Sequence, residues 1–282
     1  MSGVNDNFDI HWFPGHMAKT RRIIEENLRL TDILAEITDA RIPESGRNPL
    51  LSEVAGDKPR VLLLNKRDYA DDDTTRLWIE CYSRNGIPAV SCDCRSGAGL
   101  SGFVPFLKRV SSRLNRKYSG ALRVMVAGIP NAGKSSLINR LAGGKRAAVG
   151  DRPGVTRGKQ WISAGKEIEL LDLPGILPPK LDNRETALKL AYVGAVKDEV
   201  MDTESLAASL AAYLCANRPE KLMERYKLRS LDGDVMESIA KSRGMTLPGG
   251  IPDAKRAALN LLDEFRSGKI GKISLEKPHE FV

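Results

Sequence analysis

Length, composition and charge exclude several classes of protein. The chain has 282 residues, of which 41% are hydrophobic and 28% charged, as expected for a folded protein of about two domains. No apolar run approaches the roughly 20 residues of a transmembrane helix, so we expect no membrane partner. The net charge of +8 favours a polyanionic partner without identifying it.

The cysteines and the first residues indicate a cytoplasmic protein. Cys81, Cys92, Cys94 and Cys215 form no C-x-x-C pair, and with only three histidines the chain lacks the spacing of a zinc site. We therefore expect buried or half-buried thiols in a reducing compartment. Residues 1–10 are polar and include two aspartates, unlike a secretory signal.

Apolar runs and helical patterns alternate through the first 200 residues. A turn at Pro14-Gly15 precedes a helical pattern with apolar positions at Ile23, Ile24 and Leu28. The predicted strands are 33–37, 61–64, 89–90, 122–127, 160–164 and 168–171, and the predicted helices between them include 74–82, 103–118 and 137–141. This alternation predicts an α/β fold with a mostly parallel sheet and helices on both faces.

After about residue 200 the pattern becomes purely helical. Alanine- and leucine-rich segments at 206–215, 219–226, 235–243 and 254–266 are separated by glycine and proline. We therefore expect two domains, an α/β domain over residues 1–199 and a small all-helical domain over residues 200–282.

A phosphate-binding loop follows the fourth predicted strand. Residues 128–135 read G-I-P-N-A-G-K-S and match G-x-x-x-x-G-K-[ST] between a strand and a helix. Backbone amides of such a loop surround phosphate oxygens, Lys134 reaches the β- and γ-phosphates, and Ser135 ligates Mg²⁺. The expected nucleotide contacts here are Pro130, Asn131, Ala132, Gly133, Lys134, Ser135 and Ser136.

Two later segments complete the predicted phosphate and metal site. Asp172 ends a strand and begins D-L-P-G, so its carboxylate is a second partner for Mg²⁺ while Gly175 offers its amide to the γ-phosphate. Thr156 lies between these motifs and is the predicted switch threonine, with its hydroxyl on Mg²⁺. The alternative for Thr156 is a strand-start residue after a simple turn at 153–154.

The motif N-K-R-D at residues 65–68 predicts guanine recognition. Asp68 can accept hydrogen bonds from N1–H and the 2-amino group of guanine, and adenine has neither donor, which disfavours an ATP-driven enzyme. We expect Asn65 to brace the base and the phosphate loop, and the stem of Lys66 to cover the ring. Ser91 and Cys92, after the third strand, could add a backbone amide to the guanine pocket.

The order of these motifs is unusual for a GTPase. In a standard small GTPase the phosphate loop precedes the base-reading motif, but here N-K-R-D comes first. All parts of one site are present in rotated order, which indicates a circularly permuted P-loop GTPase domain. The segment after Gly175, which senses the γ-phosphate, then leads directly into the helical domain and could pass nucleotide state to it.

Together these motifs resemble the circularly permuted GTPases of the YlqF/YawG type, and the resemblance covers nearly the whole chain. The matching segments are residues 12–19, 39–43, 65–68, 128–135, 151–156, 172–176 and 188–198. The resemblance implies a GTPase that acts in assembly of the large ribosomal subunit or its precursor and binds rRNA through the helical domain. We expect a monomer.

The position after Gly175 predicts slow hydrolysis. Ile176 stands where many GTPases place a water-orienting glutamine, and an aliphatic side chain cannot hydrogen-bond a water molecule. We therefore expect slow hydrolysis by the protein alone and faster turnover in the presence of the ribosomal particle. His16, whose turn the resemblance places near this segment, could orient the water, or could be a histidine packed in an aromatic turn. Asn131 could help hold a K⁺ ion against the phosphates, or could simply cap the loop. The alternative function is a nucleotide-dependent RNA-binding scaffold with negligible turnover.

Basic residues of the helical domain are the candidates for RNA contact, although solvated helix faces have the same composition. They are Lys221, Arg225, Lys227, Arg229, Lys241, Arg243, Lys255 and Arg256.

Overall fold

Residues 14–112, 120–143, 160–177, 183–196 and 202–278 are described by the computed structural model of the chain. These residues contain six strands, β1 (Ile33–Asp39), β2 (Arg60–Asn65), β3 (Ala89–Ser91), β4 (Leu122–Gly128), β5 (Gln160–Ala164) and β6 (Ile168–Asp172). They also contain ten helices, α1 (Pro14–Leu28), α2 (Pro49–Ala55), α3 (Asp72–Arg84), α4 (Phe103–Ser111), α5 (Lys134–Leu141), α6 (Arg184–Tyr192), α7 (Thr203–Asn217), α8 (Pro219–Tyr226), α9 (Val235–Ser242) and α10 (Ala254–Arg266).

The strands form one sheet in the order β3-β2-β1-β4-β6-β5. Every neighbouring pair is parallel except β5 with β6, so the predicted mostly parallel α/β fold is confirmed. From β1 the chain continues to β2 and β3 on one side, whereas from β4 it continues to the strands on the other side. The strand order therefore reverses between β1 and β4, where ligands bind in open α/β sheets.

The core lies where helices cover the sheet. All seven residues of β1 are buried, as expected for a central parallel strand. Leu34 and Met125 are register partners and belong to one buried cluster with side chains of α1 and α2. Trp78 and Tyr82 of α3 stack with ring centroids 5.3 Å apart and belong to a second cluster, with side chains of β2.

Contacts divide the chain into an α/β unit and a helical unit, but at a different place from the one predicted. The predicted boundary fell between residues 199 and 200, whereas the division lies at Asn183, and residues 274–278 belong to the α/β unit. Helix α6 was not predicted, and it packs with α7 and α10. The final segment is tied to the α/β unit because the amide of Asp71 donates to Ser274 Oγ at 3.1 Å and that of Leu275 to the Arg41 carbonyl at 2.8 Å.

Two helices begin at prolines that the sequence analysis did not use as helix starts. We predicted a turn at Pro14-Gly15, but Pro14 is the first residue of α1. Pro49 opens α2, capped by the side chain of Asn48, which accepts from the amide of Leu50. Proline suits the first helical position because its missing N–H would have no partner there.

No helix among residues 14–112, 120–143, 160–177, 183–196 and 202–278 has the length and apolarity that a bilayer crossing requires. The cysteines are free thiols as expected, with Cys92 and Cys94 buried and Cys81 and Cys215 half-buried. In the same part of the chain, no three histidine, cysteine, aspartate or glutamate residues form a group that could hold a metal ion.

Candidate nucleotide-binding site

The predicted site residues stand at the carboxyl ends of neighbouring parallel strands. Asn65 at the end of β2 is the register partner of Asp39 at the end of β1, and Asp172 at the end of β6 pairs with Val126 of β4. Gly128 ends β4 opposite Ile37. The sheet therefore collects the base-reading motif, the phosphate loop and the D-L-P-G segment along one edge, although they are far apart in sequence.

The loop between β4 and α5 has the backbone conformation of a compact glycine turn. Asn131 and Gly133 both have positive φ, at 58° and 101°. A Cβ atom on Gly133 would lie 2.2 Å from Asn65 Nδ2, so this position has no room for another side chain. Ala132 is buried, Asn131 is exposed, and Pro130, Ser135 and Ser136 are half-buried.

Lys134 is buried at the first turn of α5. Its Nζ donates to the carbonyl oxygens of Gly128 at 3.2 Å and Ile129 at 2.8 Å. Burial lowers the pKa of this amine to about 8, and the negative charge of Asp172 opposes that shift. The side chain lies folded over its own loop, where incoming phosphate oxygens would replace the carbonyl partners.

Asp172 is an acidic group that interacts electrostatically with this lysine. Its Oδ1 is buried and has no hydrogen-bond partner within the described part of the chain. Burial raises the pKa of the carboxyl, and Lys134 counteracts this. An orphaned carboxylate oxygen beside the phosphate loop fits a Mg²⁺ ion held with the hydroxyl of Ser135. The third predicted ligand, Thr156, lies outside the described residues.

The segment after Asp172 packs directly on the phosphate loop. A Cβ atom on Gly175 would come within 2.8 Å of Pro130 Cα and 3.1 Å of Lys134 Nζ. The amide of Ile176 donates to the Gly128 carbonyl at 3.1 Å. Its side chain packs against the buried cluster that contains Met125, so it presents no polar group to a water molecule.

Asn65 connects the two ends of the site. Its Nδ2 donates to the Ala132 carbonyl in the phosphate loop at 2.7 Å. Its Oδ1 accepts from the amide of Cys94 at 2.9 Å. The side chain therefore fixes the loop after β3 against the phosphate loop.

Ser91 and Cys92 were predicted to offer a backbone amide to the base, and the structure engages the amide of Cys92 in the sheet. Ser91 lies in β3, and the amide of Cys92 continues the strand pairing by donating to the Leu64 carbonyl at 2.9 Å. Residues 93–97 form the next turn, in which the Asp93 carboxylate accepts from the amides of Arg95 at 2.8 Å and Ser96 at 3.1 Å. Aspartate often begins a turn by accepting hydrogen bonds from amides two and three residues later in the chain. The sequence analysis missed this signal at Asp93.

Asp68 has an unsatisfied oxygen at the other end of the site. Its Oδ1 is buried without a hydrogen-bond partner among the residues that the structure describes. Burial raises the pKa of this carboxyl, and the nearby Asp93 carboxylate raises it further. A donor pair such as guanine N1–H and its 2-amino group would satisfy this carboxylate.

Lys66 and Asp39 form a charged group beside Asp68. Lys66 has φ 59° and its Nζ lies 3.1 Å from Asp39 Oδ2. Arg41 donates two hydrogen bonds to the same carboxylate, from Nε to Oδ1 at 2.9 Å and from Nη2 to Oδ2 at 2.8 Å. Burial alone would raise the pKa of Asp39, but Arg41 and Lys66 hold it well below its usual range. The sequence analysis did not assign Asp39 or Arg41 to the site.

The backbone of His16 lies in the first turn of α1. Its side chain is outside the described part of the structure, so its predicted place near the D-L-P-G segment remains a prediction.

Several candidate RNA contacts are engaged within the helical unit. Arg225 Nε donates to the buried Glu264 carboxylate at 2.9 Å, and Arg243 approaches the same group at 3.4 Å. Lys241 pairs with Glu237 at 3.2 Å, and Lys255 with Glu204 at 3.1 Å, both at the surface. Lys227, Arg229 and Arg256 are exposed, and Lys221 is half-buried.

Comparisons with known proteins place the chain among ribosome-associated GTPases. Residues 123–227 match the family described as 50S ribosome-binding GTPase. The chain is 43% identical to Ribosome biogenesis GTPase A of Priestia megaterium, over 96% of this chain and 98% of that protein. It is 36% identical to Mitochondrial ribosome-associated GTPase 1 of Mus musculus, over 94% of this chain and 90% of that protein. The crystal structure of GNP-bound YlqF from T. maritima matches with a TM-score of 0.66 at 30% identity, over 92% of this chain and 98% of that one.

Proposed function

The chain belongs to the YlqF family of ribosome biogenesis GTPases, and from that premise we propose that it binds and hydrolyses GTP as an assembly factor or checkpoint of the large ribosomal subunit. A circularly permuted GTPase domain and a part in ribosome biogenesis come with the membership. The particular subunit, its precursor and the contact with rRNA belong to the proposal.

One observation carries the nucleotide-binding part of the proposal. Two carboxylates, Asp68 and Asp172, each keep a buried oxygen without a hydrogen-bond partner in the described part of the chain. Burying such an oxygen unpaired costs about 1–3 kcal/mol, so each position favours a ligand that supplies a donor or a cation. Asn65 donates a hydrogen bond to the Ala132 carbonyl and so links the strand that precedes Asp68 to the phosphate loop.

Each part of the site has a distinct role in this account. Asp68 accepts hydrogen bonds from the guanine edge, Lys134 neutralises phosphate charge, and Gly175 directs its amide to the γ-phosphate. Ser135, Asp172 and Thr156 are the proposed ligands of Mg²⁺. The bound ion would supply positive charge to the phosphates.

Slow turnover in isolation is supported by the packing of Ile176. Its aliphatic side chain lies on the apolar cluster and cannot hydrogen-bond a nucleophilic water. We therefore assign water positioning to His16, or transition-state charge to a K⁺ ion held at Asn131. Single-turnover hydrolysis by His16→Ala tests the first assignment, and a comparison of rates in KCl and NaCl tests the second. A wild-type rate in the variant, or equal rates in the two salts, would contradict the respective assignment.

Phosphate release with and without large-subunit particles tests the function as a whole. We expect slow release from the protein alone and at least about a tenfold increase when the particle is added. The second candidate function, a nucleotide-dependent RNA-binding scaffold, is favoured by the apolar environment of Ile176. Release that stays negligible with the particle present would support the scaffold and contradict a hydrolytic checkpoint.

The helical unit is the proposed rRNA contact, working as part of a monomer in the cytoplasm. The exposed cations Lys227, Arg229 and Arg256 support this assignment best because no salt bridge in the described part of the chain engages them. Salt-sensitive binding is expected of phosphate contacts. The bacterial origin of the ribosome biogenesis relatives supports the cytoplasmic location.

A further inference from the structure

Asn48 makes two contacts that its role as a helix cap does not require. It is wholly buried in the loop before α2. Its Oδ1 accepts from the Leu50 amide at 3.0 Å and so caps the helix. Its Nδ2 points elsewhere and donates to the carbonyls of Ile176 at 3.3 Å and Leu177 at 3.2 Å. These carbonyls belong to the segment that follows the D-L-P-G motif.

The position of Asn48 is fixed by the sheet. Its own amide donates to Glu36 Oε1 at 2.9 Å, and Glu36 is a buried residue of the central strand β1. Pro49 restricts the backbone immediately after it and opens α2. The carboxamide is therefore held by a rigid element on one side and contacts the D-L-P-G segment on the other.

The segment that Asn48 contacts packs against the phosphate loop and its lysine. Gly175 approaches so closely that an added Cβ would lie 3.1 Å from Lys134 Nζ. The next residue, Ile176, is bonded at both backbone groups, its amide to the Gly128 carbonyl and its carbonyl to Asn48. The orientation of the Gly175 amide thus depends on how these two residues are held.

We propose that Asn48 is a positioning residue for γ-phosphate recognition, holding the carbonyls of Ile176 and Leu177 so that Gly175 stays docked at the phosphate loop. The inference rests on the proposed GTP binding. A segment that is ordered before the nucleotide arrives loses less conformational entropy on binding. We call the hydrogen bonds from Asn48 Nδ2 to these two carbonyls the clamp. GDP has no γ-phosphate to contact Gly175, so the clamp favours GTP over GDP.

Two substitutions separate the clamp from the cap. Asn48→Ser keeps a good N-cap oxygen but removes the amide donor. Asn48→Asp keeps the size and the cap, and places an acceptor against the two carbonyls. The matched control is Asn183→Ser, because Asn183 caps α6 through the amide of Glu185 at 2.8 Å but is exposed and lies outside the site.

The measurement is the affinity of each protein for GDP and for a non-hydrolysable GTP analogue, together with its thermal midpoint. Losing two hydrogen bonds predicts about tenfold weaker analogue binding by both Asn48 variants, with GDP affinity changed less than about twofold. Asn183→Ser should leave the ratio of the two affinities unchanged. Equal losses for both nucleotides, or an unchanged ratio, would overturn the clamp.

Two further results keep the tests separate. Wild-type protein that binds neither nucleotide would overturn the proposed function itself. Hydrogen exchange on nucleotide-free wild-type protein covers the case in which both Asn48 variants fail to fold. The Ile176 amide should then exchange slowly, since it is bonded to Gly128 and held through Asn48. Exchange at the rate of an unprotected amide would overturn the inference.

Discussion

Lys134 stabilises the phosphate loop in the nucleotide-free protein, and the same side chain is proposed to contact the phosphates of the nucleotide. The amine bonds the two carbonyls at the start of its loop, and burial lowers its pKa to about 8. Phosphate favours the charged amine, so its pKa must rise when a nucleotide binds. The lysine is therefore partly neutral in the free protein at mildly alkaline pH and charged in the complex.

This shift predicts proton uptake on nucleotide binding. Between the lower pKa of the free protein and the higher pKa of the complex, the bound state holds more protons, so affinity falls as pH rises through that window. Calorimetry of GDP binding at about pH 8.5, in buffers of different ionisation enthalpy, should show uptake of a fraction of a proton. At about pH 6.5 the amine is charged in both states and its contribution should vanish. If no protons are taken up at the higher pH, the lowered pKa of Lys134 in the free protein is contradicted.

A methyl group on Gly175 should separate GTP binding from GDP binding. In Gly175→Ala the new Cβ would lie 2.8 Å from Pro130 Cα, which is backbone and cannot move aside cheaply. We expect at least about tenfold weaker binding of a GTP analogue, with little change for GDP. Gly102→Ala is the control, because Gly102 has φ −88° and nothing lies within 4 Å of its added Cβ. Equal analogue affinity in the two variants would contradict the close approach.

At the scale of elements, strand ends made much of the site predictable. Asp68, Lys134 and Asp172 follow apolar runs closely, and parallel strands bring their carboxyl ends to one edge of the sheet. The third strand is longer than its apolar run, so the turn that follows it lies later in the chain than the sequence analysis expected. Its pairing extends through Ser91 and the Cys92 amide, which moves the turn on to Asp93.

Contacts between distant segments could not be predicted. Asn48 and Ile176 are 128 residues apart, and no local pattern indicates that they meet. Helix α2 was missed although Asn48-Pro49 is a helix-start signal, because the helix has only seven residues. Helix α6 was missed because its buried residues, including Ala187 and Lys189, do not form a clear apolar stripe.

The C-terminal segment is expected to stabilise the α/β unit. The buried side-chain carboxylate of Glu276 accepts from the backbone amides of Glu44 at 2.9 Å and Ser45 at 3.2 Å. The backbone carbonyl of Glu276 accepts from Trp78 Nε1 at 3.2 Å. Glu276→Ala leaves two amides without this acceptor and should lower the free energy of unfolding by about 2 kcal/mol. Urea unfolding measures this, with the exposed neighbour in Lys277→Ala as control. Equal stability of the two variants would contradict the contact.

At the scale of the whole molecule, the motif order matters most. The D-L-P-G segment at residues 172–175 comes shortly before the helical unit, which begins at Asn183, so the proposed γ-phosphate sensor and the proposed RNA contact are neighbours along the chain. Such connectivity suits a factor whose grip on a particle depends on its nucleotide.

The helical unit should contain two functionally different sets of arginines. Arg225 is held by the buried Glu264, so Arg225→Gln should lower the thermal midpoint by several degrees. Arg229→Glu and Arg256→Glu change exposed residues, and should weaken rRNA binding and flatten its salt dependence while leaving stability almost unchanged. Filter binding over a salt series, with a melting curve for each variant, measures both effects. Unchanged affinity in both exposed variants would contradict the proposed RNA surface.

The central claim is that Asp68 and Lys134 hold opposite ends of one guanine nucleotide. Exchanging the carboxylate for an amide in Asp68→Asn replaces one acceptor with a donor, which suits the 2-oxo group of xanthine and not the 2-amino group of guanine. Titration of this variant with GDP and with XDP is the most direct measurement. The account predicts that GDP binding falls by at least about a hundredfold and that XDP becomes the preferred ligand. Undiminished GDP binding would contradict it.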